Sequence, residues 1–65
     1  MFVRIKNYLI NIKEVVTINK NFTTGGATIA IRLKCADQIE IYFYDKEEER
    51  DAAFEFLATT LLKEE

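Results

Sequence analysis

Apolar and polar residues alternate over much of the first two thirds of the chain, which is the pattern of β-strands that bury one face. Residues 27–35 show it best, because isoleucine, leucine and cysteine fall on one face and small or basic residues on the other. Cys35 is on the apolar face and is predicted to be a buried, unreactive side chain. Residues 39–44 repeat the alternation after a short turn, so we predict that the two segments pair as an antiparallel hairpin.

The N-terminal part of the chain contains three short runs of strand-forming residues, at 2–5, 8–12 and 15–19. Lys13 and Glu14 separate the last two runs without an obvious turn sequence. The pattern therefore leaves open whether this region, residues 2–19, forms one bent strand or two.

The main loop is predicted at residues 19–26, which end in two adjacent glycines. Gly25 and Gly26 accept a positive φ at low steric cost, and the residues before them are polar. We expect the chain to leave the sheet over this stretch.

A single helix is predicted over about residues 46–63. Asp45 is the expected N-cap, with Glu48 three residues later as in a capping box. Acidic residues follow in the first turn, where the helix dipole favours negative charge. One face carries apolar residues at helical spacing: Phe54, Leu57, Ala58 and Leu61.

These elements predict an α+β fold, a three- to four-stranded antiparallel meander with one C-terminal helix packed on one face. A helix of this length, about 27 Å, covers one face of a small sheet and leaves the other uncovered. Residues 1–65 are expected to form one domain. The predicted core is Ile10, Ile12, Val16, Ile18, Ile29, Ile31, Leu33, Ile39, Ile41, Phe43, Phe54, Leu57 and Leu61.

Composition excludes several classes of function. The chain has one cysteine and no histidine, so it cannot form an internal disulfide or a tetrahedral zinc site of its own. No catalytic motif is present, and we expect neither a cofactor nor enzymatic activity. It has no run of 18 apolar residues and no secretory leader pattern, which predicts a cytoplasmic protein without a membrane partner.

Charge is divided unevenly along the chain. The first 35 residues carry six basic side chains and one acidic, whereas the last 30 carry three basic and ten acidic. The folded protein is therefore expected to be bipolar. The basic strands suggest an open sheet face with aromatic neighbours, formed by Arg4, Arg32, Lys34, Tyr42 and Tyr44. Such a face fits single-stranded nucleic acid, a partner protein or plain solvent.

Two further surfaces are candidates for contacts with other molecules. Phe56 and Leu62 lie outside the predicted apolar face of the helix and are candidate oligomer contacts. The acidic run at 47–51 resembles a metal or basic-partner site, but its position favours a solvated helix start matched to the dipole. A small chain with apolar side chains on two sides favours a homodimer.

Two resemblances concern topology. The strand sequence Tyr-Leu-Ile-Asn-Ile at 8–12 and the helix opening at 44–54 resemble small bacterial proteins, most of them uncharacterised, that have a strand meander and one C-terminal helix. The element order is also similar to the repeat of the PUR family, single-strand nucleic-acid binders that pair two repeats through their helices. This second likeness implies no residue roles.

The sequence thus predicts a small non-enzymatic interaction module, self-associating as a homodimer, with an unidentified protein partner also compatible. The alternative is a single-stranded nucleic-acid-binding protein that uses the basic and aromatic sheet face.

Overall fold

The computed structural model describes residues 1–34 and 38–63, and in them the chain forms five strands and one α-helix. The elements are β1 (Phe2–Ile5), β2 (Tyr8–Asn11), β3 (Val15–Thr23), β4 (Gly26–Leu33), β5 (Ile39–Tyr44) and α1 (Glu47–Lys63). A 3-10 turn at Ile12–Glu14 joins β2 to β3. The α+β class, the antiparallel strands and the C-terminal helix packed on the sheet are confirmed.

The strands divide into two sheets, an antiparallel β1–β2 pair and an antiparallel sheet in the order β3-β4-β5. The N-terminal region therefore holds a hairpin followed by a further strand. Local conformations explain the two places, at residues 6–7 and 12–14, where this region leaves a strand. Lys6, with φ 55°, begins the turn of the first hairpin, and the Asn11 side chain accepts a hydrogen bond from the Lys13 N–H at 3.1 Å to start the 3-10 turn.

The loop prediction over residues 19–26 is wrong in extent. β3 continues to Thr23, which pairs with Gly26, so only two residues form the turn. Asn19 and Lys20 are weak strand formers, but pairing with β4 overrides that local preference. The prediction of a positive φ holds at Gly26, where φ is 109°.

The core lies on one face of the three-stranded sheet, and both α1 and the β1–β2 hairpin cover it. Most predicted core residues are buried or partly buried there. The prediction that Val16 belongs to the core is wrong, since this residue is 50% exposed. A register shift between Val15 and Thr17 turns its side chain away from the core. The hairpin adds Val3 and Ile5, which the predicted core lacked.

The central strand β4 is buried on both faces. Ala27, Ile29 and Ile31 face the core, while Thr28 and Ala30 lie on the opposite face and are also buried. Because these two side chains are small, longer side chains on the flanking strands shield them. The Thr28 hydroxyl is satisfied by donating to Oε2 of Glu40 at 2.8 Å.

The helix begins at Glu47, close to the predicted start at about 46, but Asp45 is not its N-cap as predicted. The first-turn N–H of Arg50 bonds to the carbonyl oxygen of Lys46, so Lys46 precedes the helix and Asp45 lies in the turn. The Lys46 N–H in turn bonds to the Phe43 carbonyl oxygen at 2.9 Å, closing a tight turn in which Tyr44 has φ 55°. The prediction for Cys35 falls outside the described residues.

Candidate functional site

The five residues of the predicted basic and aromatic face are distributed over two sheets. Arg32 and Tyr42 share the face of the three-stranded sheet opposite the core, but they stand beside Thr17 and Thr28, respectively. Four residues along β4 separate those positions, about 13 Å. Glu40 projects from the same face between them, so a carboxylate interrupts any path for phosphate groups.

The other three residues are placed differently. Arg4 is on the outer surface of the β1–β2 hairpin, where its Nε donates to the Lys6 carbonyl oxygen at 3.0 Å. Lys34 follows the end of β4. Tyr44 ends β5, and its ring centroid lies 6.0 Å from that of Tyr42. The structure thus brings the two tyrosines together, whereas Arg4 lies on the other sheet.

The two candidate oligomer contacts on the helix do not form one patch. Phe56 is 51% exposed and Leu62 is 70% exposed. At 100° per residue, six residues place them about 120° apart around the helix axis. Each is an isolated exposed apolar side chain, which is common on protein surfaces.

A different feature stands out at the edge of the sheet formed by β3. Thr23 and Gly26 close a two-residue turn, so the hydrogen-bonded pairs of the β3–β4 ladder fall on the odd-numbered residues of β3. The backbone groups of Ile18, Lys20 and Phe22 then point to the side away from β4. Among the described residues, no hydrogen bond is made to these groups from that side.

The opposite edge, formed by β5, is capped. The same alternation directs the backbone groups of Glu40 and Tyr42 outward. The Nζ of Lys6 donates to the Tyr42 carbonyl oxygen at 2.6 Å and lies 4.9 Å from the ring centroid of Phe43. The tip of the β1–β2 hairpin therefore covers the edge of β5 at Tyr42, whereas no such contact is made along β3 from Ile18 to Phe22.

The two ends of β3 differ in character. At its start, a groove of about 530 Å³ is lined by apolar and basic side chains: Ile12, Lys13, Val15, Val16, Thr17, Ile18, Lys34 and Leu61. At its other end the Phe22 side chain is 72% exposed. One end of the free edge thus offers a recess with both apolar and basic lining, and the other offers an exposed aromatic ring.

The buried side chain of Arg50 holds two acidic side chains near the Phe22 end of β3. The side chain of Arg50 is 7% exposed and lies between Glu47, 3.1 Å from Nη2, and Asp51, 2.7 Å from Nε. Lys20 on β3 is 3.9 Å from Asp51. Two acids of the 47–51 run that was considered for a metal, Glu47 and Asp51, are therefore paired with basic side chains.

Sequence reasoning did not single out Arg50, although a signal was present. It lies seven residues before Leu57, which places it on the core-facing side of the helix. An arginine on that side needs partners when it is buried, and carboxylates stand three residues before and one residue after it.

Within residues 1–34 and 38–63, no group of three or more potential metal-ligating side chains lies close enough to hold an ion. In the same part of the chain, no helix is long and apolar enough to cross a membrane. Comparison with protein-family models, with curated proteins and with solved structures found no match for this chain. The resemblance to small bacterial meander proteins thus rests on the order of antiparallel strands and one C-terminal helix.

Proposed function

We propose that this chain is a small non-enzymatic interaction module that associates with a second copy of itself through the free edge of β3. The supporting observation is the contrast between the two edges of the sheet. Along the nine residues of β3, Ile18, Lys20 and Phe22 direct unpaired backbone groups to the free edge, whereas Lys6 caps β5 at Tyr42. An exposed strand edge of this length is a template for pairing with another chain.

Size supports the same proposal. A chain of 65 residues buries a small fraction of its surface compared with larger domains, and it has no internal disulfide to add stability. Antiparallel pairing of two β3 strands would join the two three-stranded sheets into one sheet of six strands, with the cores of both copies on the same face. Because each copy has one free edge, an assembly that pairs these edges stops at two copies. The result is a two-fold symmetric dimer, the commonest form of oligomer.

The origin and location belong to this proposal as well. We place the chain among small bacterial proteins of the cytoplasm, on the basis of its strand-and-helix order and its single cysteine.

Light scattering over a range of protein concentrations tests the association. Wild type is expected to reach the mass of a dimer, and a monomer at every concentration would contradict the proposal. Lys20→Pro removes an N–H that points to the free edge while leaving the β3–β4 ladder intact. This variant should be monomeric with an unchanged circular dichroism spectrum.

Lys20→Thr is the matched control, because it removes the same side chain and keeps the backbone N–H. It loses the 3.9 Å contact with Asp51 but should remain a dimer. If Lys20→Pro and Lys20→Thr have the same mass as wild type, association does not use this edge.

Single-stranded nucleic acid is the second candidate partner, and one observation favours it. The rings of Tyr42 and Tyr44 are both exposed and lie 6.0 Å apart, which suits stacking of bases. Binding of a fluorescent oligonucleotide should then weaken steeply as salt rises, and Tyr42→Ala with Tyr44→Ala should abolish it. Binding that is absent at low salt would exclude this function.

A further inference from the structure

We infer that two copies pair β3 with β3 in antiparallel register about Asn19, so that Phe22 of each copy fills the groove at the start of β3 of the other. This inference rests on the proposed function, association through the β3 edge, and adds the register and the contacts that make it specific.

The register follows from the direction of the backbone groups. Beyond the register shift at Val16, only the even-numbered residues of β3 present N–H and C=O groups to the free edge, so an even residue of one copy must stand opposite an even residue of the other. β3 runs from Val15 to Thr23, and its middle residue is Asn19. Pairing about Asn19 is centred on the strand, sets Ile18 opposite Lys20 and brings Phe22 beside the register shift at Val16.

Neighbouring registers are less favourable. A shift that centres the pairing on Lys20 places two ammonium groups directly opposite each other, which destabilises a strand pair. A shift that centres it on Ile18 leaves Phe22 beyond the start of the other copy's β3, opposite Glu14. Only the register about Asn19 sets the exposed ring of Phe22 beside Val16, and so beside the groove at the start of the other copy's β3.

The groove beside Val16 suits the ring of Phe22. The even residues Ile18, Lys20 and Phe22 project from the helix side of β3, because Lys20 lies 5.3 Å from the Phe54 ring on α1. The groove opens on the same side, since Leu61 of α1 is part of its lining. Phe22 of the second copy therefore approaches the groove from the side on which its apolar lining is accessible.

Charge is compatible with the same arrangement. Lys13 and Lys34 border the groove, while at the Phe22 end Glu47 and Asp51 are balanced by Arg50 and Lys20. Antiparallel pairing therefore keeps the two basic ends apart and sets each beside an end whose charges are paired.

Alanine substitution of Phe22 tests the contact. Phe22→Ala should raise the dimer dissociation constant by about tenfold to a hundredfold, because an interface aromatic ring is truncated at two symmetric sites. The matched control is Phe2→Ala, which removes a similarly exposed ring from the outer surface of β1 and should leave the dissociation constant unchanged. Equal effects of the two variants would overturn the contact.

Cysteine cross-linking tests the register. The variants are made in a Cys35→Ser protein, so that the introduced cysteine is the one thiol in each copy. Asn19→Cys should form an intermolecular disulfide, because the register sets Asn19 opposite itself in a non-hydrogen-bonded pair with Cα atoms about 4.5 Å apart. In the same register Thr17 lies opposite Asn21 of the other copy, four residues away from the other copy's residue 17. Two thiols at position 17 are therefore too far apart to form a disulfide, and Thr17→Cys should remain reduced. The Cys35→Ser parent should give no cross-link.

The two proposals fail in different ways. If Lys20→Pro abolishes the dimer while Asn19→Cys does not cross-link and Phe22→Ala has no effect, the edge is correct and the register is wrong. If Lys20→Pro leaves the dimer intact, association through β3 is itself wrong.

Discussion

Nη1 of Arg50 donates to the backbone carbonyl oxygen of Asn21 at 2.7 Å and thereby ties the first turn of the helix to the far end of β3. The same atom lies 3.3 Å from the carbonyl oxygen of Thr28, the residue that pairs with Asn21 across the sheet. One side chain therefore joins α1, β3 and β4. Among the described residues, no buried side-chain nitrogen or oxygen lacks a hydrogen-bond partner.

Replacing Arg50 by methionine is expected to lower the free energy of unfolding by about 1 to 3 kcal/mol. The apolar stem is kept, but the bonds to Asn21, Glu47 and Asp51 are lost. The carboxylates are about half exposed and regain water, which limits the loss. Urea denaturation followed by circular dichroism measures the change.

Lys46→Met is the control for this prediction. Lys46 makes an exposed ion pair with Glu49 at 3.9 Å, and such pairs contribute at most about 1 kcal/mol. If Arg50→Met and Lys46→Met destabilise the protein equally, the buried network does not stabilise the helix against the sheet.

The two adjacent glycines are expected to respond very differently to alanine. Gly26 has φ 109°, and a Cβ there would collide with the backbone of Tyr44 at its carbonyl oxygen. The backbone strain alone costs about 1 to 3 kcal/mol, and the close contact adds to it. A Cβ at Gly25 would meet only the edge of the Tyr42 ring, at 3.3 Å. Thermal unfolding should show a large loss for Gly26→Ala and a small change for Gly25→Ala, and the reverse order would contradict this account.

Local patterning predicts the helix and the β4–β5 hairpin because their signals repeat within each element. Leu57 and Leu61 recur at helical spacing, and Ile29 and Ile31 alternate strictly. No such local signal predicts that β3 extends through Asn19 and Lys20. Those residues are held in the strand by pairing with β4, and that pairing is a contact between distant parts of the chain.

The candidate site depends even more on sheet order. Alternation indicates which face of a strand a side chain occupies, but it does not say which strand lies at an edge. Arg4 alternates correctly with its neighbours and still lies on a different sheet from Tyr42. The free edge of β3 and its counterpart, the edge of β5 covered by Lys6, follow only from the arrangement of the strands.

Leu57 is expected to be the most sensitive helix position. It is fully buried at the centre of the core, so Leu57→Ala leaves a cavity and should cost about 2 to 5 kcal/mol. Leu62→Ala removes the same atoms from a side chain that is mostly exposed and should change stability by about 0.5 kcal/mol or less. Urea unfolding of the two variants checks the contrast. A loss at Leu62 as large as that at Leu57 would indicate that Leu62 packs against a second copy.

Removing the cap on β5 is expected to change the size of the assembly rather than the stability of the fold. Lys6→Met keeps a long side chain at the same backbone position but cannot donate to the Tyr42 carbonyl oxygen. A dimer joined through β3 would then carry a free β5 edge at each end, and further copies could add strand by strand. Light scattering should detect species larger than a dimer that grow with protein concentration. Lys63→Met, in the last turn of the helix, removes the same charge away from any strand edge and should remain a dimer. If Lys6→Met also stays a dimer at every concentration, the hairpin tip blocks the β5 edge without the lysine.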